Sequence, residues 1–395
     1  MKTMFVSPTT RIAAGRAARQ HGLSLIETMI GLVMGLIVTL VITQVWGNFE
    51  NQKQRSVSGS TAQQSGLLAF TELEQDIRSA GAGLTASAAF DCTNVFSFYE
   101  NGGPVISPIP AYSGSMPMVP VQITDGGAGS DILTVKRGSD MLGVISATIA
   151  SDMPSSSAVL DMNTVAGFCA GPPDCAVPDK IMAIDPATGG CSLMEITSVL
   201  TGSVKLQHNP GGPGPRYNPP ISFQTANGWP GFLTGAKVVK VGDLISRAYT
   251  VNASNQLELT DVTVPGPPAI SILATDIVKI KAQYGIADPG AEDVNAWVNA
   301  TAGTGWNVLD KIKVKRIKAI RLVVVARSAK MEGANVTDPC TNVSGGVNNG
   351  PCAWVDSVAD PAPLIDLSAD ANWRKYRYRA YQTVIPIRNV IWAGV

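Results

Sequence analysis

RQHGLSLIETMIGLVMGLIVTLVITQVW, Arg19 to Trp46, is the stretch that decides the fold. From Leu23 to Trp46 the only formal charge is Glu27. A helix rising about 1.5 Å per residue over that run roughly matches the ~30 Å hydrocarbon thickness of a bilayer. The run therefore predicts a transmembrane helix over residues 23–46. A charge near mid-bilayer costs on the order of 3 kcal/mol on insertion scales, so Glu27 needs either a partner or a place near the interface.

On the N-terminal side, Lys2, Arg11, Arg16 and Arg19 form a basic leader with no acidic residue. An ordinary signal peptide has a shorter apolar part followed by a small-residue cleavage site. Here no such site follows the apolar run before the polar GNFENQKQRS, and the small residue, Gly22, stands immediately in front of it. Cleavage after Gly22 would remove 1–22 and keep the span. The excess of basic residues ahead of the span predicts a cytoplasmic N-terminus and export of everything after about residue 47. A cut chain would also place the Leu23 ammonium about one helical turn from Glu27. The amine of a neighbouring subunit could meet the carboxylate instead. The plainer alternative is a solvated carboxylate at the membrane surface.

On the C-terminal side, Leu67, Phe70, Leu73 and Ile77 recur at helical spacing, which predicts that residues 47–82 continue the helix as an amphipathic half. Gly59 and Gly66 weaken its middle, and Gly81 and Gly83 stop it. Residues 83–395 then read as a β-rich globular domain. DILTVKR, IMAID, MEITSV, AKVVKV and LISRAYTV are short β-branched runs between turn residues, VNASNQLEL reads as a hairpin, and TDIVKIKAQYGI favours strand. The fold class expected is α+β: a long N-terminal helix, half transmembrane and half amphipathic, packed on a β-rich domain.

Lys plus Arg equals Asp plus Glu at 30 each, which removes any global electrostatic reason for a nucleic-acid partner. The six cysteines all follow the span, as suits an oxidising compartment. No CxxC pair occurs and the only histidines are His21 and His208, so disulfides are favoured over zinc. Cys340 and Cys352 bracket a Gly/Asn-rich loop and read as one pair. The other four allow three connectivities, and the reading leans to Cys169 with Cys175 and Cys92 with Cys191.

Catalysis finds no support: G-x-S-x-G, P-loop and H-E-x-x-H spacings are all missing from the sequence. No enzyme activity, cofactor or metal is expected. Asp288, Glu292 and Asp293 in ADPGAEDVNAW are too few for a calcium loop, and Pro289 interrupts the alternation of oxygen ligands. KIKVKRIKAIR alternates as a strand, with Lys311, Lys313 and Lys315 on one face and a bulge at Arg316 and Ile317. Together with Arg374, Lys375 and Arg377 in WRKYRYRAY it forms a candidate basic surface for DNA, against the alternative of solvated strand faces.

The residues GLSLIETMIGLVMG resemble the class III leader of type IV pilins and type II secretion pseudopilins. That resemblance implies cleavage between Gly22 and Leu23 by a prepilin peptidase, N-methylation of Leu23, and pairing of Glu27 with the terminal amine of an adjacent subunit. Leu23 stands where major pilins usually have Phe, which points to a minor member. LLAFTELEQDIRSAGAGL, VKIKAQYGIADPGAEDVNAW, WNVLDKIKVKRIKAIRLVVVARS and YRAYQTVIPIRNV resemble, in order, stretches of the PilW family of minor pilins; residues between about 92 and 270 match least. The resemblance implies a pilin-like domain and a subunit of the tip or priming complex. Its partners would be other minor pilins, the major pilin, the prepilin peptidase and the inner membrane, with the domain periplasmic before assembly. The alternatives are a type II secretion pseudopilin, or a membrane-anchored adhesin or DNA receptor contacting DNA or a surface ligand.

Overall fold

The structure is a computed structural model that describes residues 24–392 except 85–90, 93, 97, 99–117, 140–145, 156–158, 186, 211–216, 265–268 and 355–359. Its contacts divide the chain into residues 1–56 and residues 57–395. One helix, α1, runs from Leu25 to Ser79 with no proline in it. It stops where Gly81 and Gly83 take φ of 75° and 70°, a left-handed conformation that glycine adopts without Cβ strain.

Within residues 57–395, α1 buries a narrow stripe of Ala62, Gly66, Ala69, Leu73 and Ile77, and Ala80, just past its end, is buried as well. Leu67 is not part of the stripe, contrary to the sequence expectation: it is 56% exposed and its neighbour Leu68 49%. The reason is a close approach of helix to sheet. A Cβ on Gly66 would lie 2.4 Å from Tyr381 Cε2 and 2.9 Å from Ala326 Cβ, so a large residue has no room on the stripe there. Tyr381 instead donates its hydroxyl to the Gln63 carbonyl at 3.0 Å. Gly66→Val is expected to lower stability by about 2 kcal/mol or more through overpacking. Adding Tyr381→Ala should return part of that loss, and denaturant titration of the full chain in detergent checks the non-additivity.

After the helix come β1 (Asn94–Phe96), β2 (Val121–Thr124), β3 (Ile132–Gly138) and β4 (Ser146–Thr148). They are followed by β5 (Leu160–Asp161), β6 (Lys180–Ile184), β7 (Gly190–Glu195), β8 (Ser198–Leu200), β9 (Lys205–Gln207), α2 (Ile221–Ala226) and β10 (Lys237–Lys240). Next are β11 (Leu244–Val251), β12 (Gln256–Val264), β13 (Ala269–Thr275), β14 (Ile277–Ile286), β15 (Ala296–Val298), α3 (Lys311–Arg316) and β16 (Ile317–Arg327). The described chain closes with β17 (Cys340–Thr341), β18 (Val347–Asn348), β19 (Tyr378–Pro386) and α4 (Arg388–Trp392). Among the described residues the larger sheets have the orders β13-β12-β11-β3-β2, β1-β7-β6-β10-β4 and β15-β14-β16-β19.

Burial explains the apolar runs. β16 is covered on both faces, Ile320, Leu322 and Val324 entering the main core with α1 while Val323 and Val325 meet Ile365, Leu367 and Trp373. Such doubly covered strands lose the alternation of half-buried ones. β6 is shared in the same way: Met182 and Ile184 face the main core, and Ile181 and Ala183 face a separate core with Leu160, Met194 and Phe232. That second core belongs to an excursion. β3 pairs directly with β11 from Gly138 opposite Leu244 to Leu133 opposite Tyr249, so residues 139–243 leave and return at adjacent points. At the neck Ser139 N–H donates to the Asp243 carbonyl at 2.8 Å.

Two local readings are corrected. MEITSV is not one strand, since β7 ends at Glu195 and β8 begins at Ser198. Lys311–Arg316 is a helical turn rather than a strand. Asp310 caps it, its Oδ1 accepting from Ile312 N–H at 2.9 Å and Lys313 N–H at 2.8 Å, and this local capping overrides the alternating pattern. The parity change read as a bulge at Ile317 is the switch from helix to strand.

Candidate functional site

In residues 24–56 the notable surface is the helix itself. From Leu25 to Gly47 it is long and apolar enough to cross a membrane, and none of its side chains is buried. Glu27 lies in its first turn, where the partial positive charge of unpaired amides favours a carboxylate. Gly22, Leu23 and the basic leader residues lie outside the described residues.

In residues 57–395 the helix is anchored by polar contacts as well as by its stripe. The Asp76 carboxylate accepts from Tyr249 Oη at 2.5 Å and from Arg247 Nη1 at 3.1 and 3.2 Å. Arg247 Nε in turn donates to Asp261 Oδ2 at 2.9 Å. Burial alone would lower the Arg247 guanidinium, but its bonds to Asp261 and Asp76 outweigh this and keep it charged. Burial and the bond to Asp76 raise the Tyr249 hydroxyl, which therefore stays a donor. At the end of the helix the Asn389 side-chain amide donates to the Ala80 carbonyl at 2.9 Å, satisfying an acceptor of the last turn. The spacing of these partners along the sequence, 171 and 173 residues for the Asp76 contacts, gave no local signal of them.

The consecutive residues Gln283, Tyr284 and Gly285 of β14 each have a distinct task. Gln283 Nε2 donates to Asn299 Oδ1 at 3.0 Å and to the Pro361 carbonyl at 2.8 Å, while its Oε1 accepts from Arg321 Nη1 at 3.2 Å. Tyr284 is fully buried and its hydroxyl accepts from Ile123 N–H at 2.6 Å. Gly285 leaves space for an indole, since a Cβ there would lie 2.7 Å from Trp297 Cζ3. The Arg321 guanidinium lies 4.3 Å from the centre of the Trp297 ring and 5.3 Å from that of Trp354.

Residues 248–389 match the PilW family, type IV pilus-assembly protein W. The PilW match takes in the QYG residues, the Tyr381 contact and the Asn389 cap, and it ties the chain to type IV pilus assembly. It leaves out α1 and the 139–243 excursion. A solved structure, the type IV-like pilin TTHA1219 from Thermus thermophilus, is 14% identical over 38% of this chain and 68% of its own, with a TM-score of 0.19. At that score the likeness adds nothing to the fold. No curated protein matches the chain.

Within the PilW-matched span the charges are mostly structural. Lys281 Nζ donates to Asp131 Oδ1 at 2.6 Å and to the Gly127 carbonyl at 2.7 Å, with Asp125 Oδ1 at 3.7 Å. The Asp131 carboxylate also accepts from Gly126 N–H and Ala282 N–H, each at 3.0 Å. Burial pushes the Asp131 carboxyl up, and the adjacent Lys281 ammonium opposes this.

The basic residues singled out in the sequence do not converge. Lys311, Lys313 and Lys315 lie on α3, just before β16, whereas Arg374, Lys375 and Arg377 precede β19, whose Tyr378 pairs with Arg327 at the far end of β16. The 11-residue strand between them spans roughly 35 Å. Most are also engaged: Lys313 Nζ with the Gly305 and Val308 carbonyls, Lys315 with Asp91, Arg374 with Asp338, and Arg377 with Glu332. Asp288, Glu292 and Asp293 are exposed, and among the described residues no group of three or more His, Cys, Asp or Glu is placed to hold a metal ion. The cysteines form the bonds Cys92–Cys191, Cys169–Cys175 and Cys340–Cys352.

Proposed function

We propose that the chain is a minor pilin that helps prime type IV pilus assembly in the tip complex, with other minor pilins and the major pilin as its partners. The supporting observation is a wholly exposed apolar helix whose only charge through Trp46 is Glu27 in its first turn, joined to a segment of the PilW family. In this reading the N-terminus begins in the cytoplasm and the domain in the periplasm. A prepilin peptidase cuts between Gly22 and Leu23, and Leu23 is methylated. An exposed apolar surface of this size is stable only in lipid or against other helices. A single carboxylate on it costs little where the ammonium of an adjacent subunit neutralises it, so charge neutralisation ties helix packing to correct register.

Mass spectrometry of the mature N-terminal peptide, taken from membranes and from sheared filaments, tests this. A methylated Leu23 in filaments is the expected result; an intact Met1 confined to membranes would defeat it. Glu27→Gln is expected to abolish entry into filaments while leaving the chain folded in the membrane. A receptor that is merely tethered by its helix would work unchanged with that substitution.

A further inference from the structure

We propose that the outer edge of β13 receives an extended strand from a neighbouring pilus subunit, one with apolar residues at alternate positions and basic residues at its flanks. The inference rests on the pilin reading. β13 is the last strand of its sheet, and among the described residues no strand pairs with its outer side. Its C-terminal half helps to close the core, where Ala274 lies opposite Leu257 and Leu273 packs against the buried cluster, whereas Ala269 to Ile272 are all exposed. The outer face carries Ile270, 69% exposed, and Ile272, 55% exposed, two positions apart on one face of the sheet.

Exposed edges are ordinarily guarded by charge, by proline or by shortness. The other long edge, β19, follows that rule: it contains Arg379 and ends in Pro386. β13 has neither a charge nor a proline from Ala269 to Thr275, and the one register shift in its pairing lies beyond the two isoleucines, at Leu273. An open row of backbone donors and acceptors, otherwise met by water, is a template for another strand, and the two isoleucines select for apolar side chains at alternate positions on it.

Charge narrows the occupant further. Glu258 lies opposite Ile272, and Asp276 directly follows the strand; Asp261, opposite Ala269, is bonded by Arg247. Two copies of this chain joined edge to edge would bring like carboxylates to one seam, which is unfavourable. A strand flanked by lysine or arginine complements the same groups.

Hydrogen exchange of the full chain in detergent, compared with the chain in sheared filaments, tests the edge. Residues 269–275 are expected to exchange about tenfold more slowly in filaments, and Ile272→Lys should remove that protection while leaving β11 and β12 as slow as before. A chain that is present in filaments yet exchanges 269–275 at its detergent rate overturns the proposal and leaves the pilin reading intact. A chain absent from filaments overturns the pilin reading. The edge is then judged by a synthetic peptide of alternating valine and threonine flanked by lysines. Protection of 269–275 by this peptide, and not by its glutamate-flanked counterpart, supports the edge; no protection overturns it. Protection already present in a detergent-soluble dimer would make a second copy the occupant and overturn the charge assignment.

Discussion

Lys281→Met is expected to destabilise the domain by about 3–5 kcal/mol, the range for removing one partner of a buried ion pair. Lys281 and Asp131 are both almost fully buried, and the ammonium also serves the Gly127 carbonyl of the 125–131 loop. Methionine fills the volume but leaves Asp131 facing only two backbone amides. Its carboxyl, already raised by burial with Lys281 in place, would rise further. A carboxyl raised in the folded state binds more protons there than in the unfolded chain, so stability falls as pH rises through that interval. The variant should therefore be less impaired in mildly acidic than in neutral buffer. Denaturant titrations of the full chain at both pH values check this, and an equal loss at both would show that Asp131 does not carry the effect.

The second large effect is expected from the buried Cys92–Cys191 bond. It joins residues 99 apart, against separations of 6 for Cys169–Cys175 and 12 for Cys340–Cys352. In the chain-entropy account a closed loop of ~100 residues contributes about 4.7 kcal/mol, and loops near ten residues roughly 2–3 kcal/mol. Replacing both Cys92 and Cys191 by alanine should thus cost more than replacing either other pair, as read from thermal unfolding of the full chain. Reductant should discriminate in the opposite order. Cys92 and Cys191 are fully buried, whereas Cys169 and Cys175 are partly exposed and should be alkylated first in a timed trapping experiment.

What the sequence revealed and what it concealed follow from the range of the forces involved. The apolar run and its one carboxylate are local features, and so are the glycines that end α1 and the β-branched run of β14. Leu67 failed because helical periodicity identifies a face but not how close the opposing sheet comes; Tyr381 decides that from more than 300 residues away. Lys311–Arg316 failed because one side chain, Asp310, outweighed a pattern of six residues. Asp131 with Lys281, and Asp76 with Arg247 and Tyr249, are pairs of ordinary charged and polar residues far apart in the chain. Nothing in their spacing distinguishes them from solvated surface groups. Lys311 and Arg374 erred differently: shared composition suggested one surface, and β16 holds the two stretches at its opposite ends.

The neck at Ser139 and Asp243 has an evolutionary consequence. Because the chain departs and rejoins between two strands that are already paired, the intervening length can grow, shrink or be exchanged without altering the register of β3 against β11, provided that something still covers the part of the main core that Met182 and Ile184 cover here. Descent should therefore be hardest to trace between these two residues, and homologues of quite different lengths should still superimpose on either side of them.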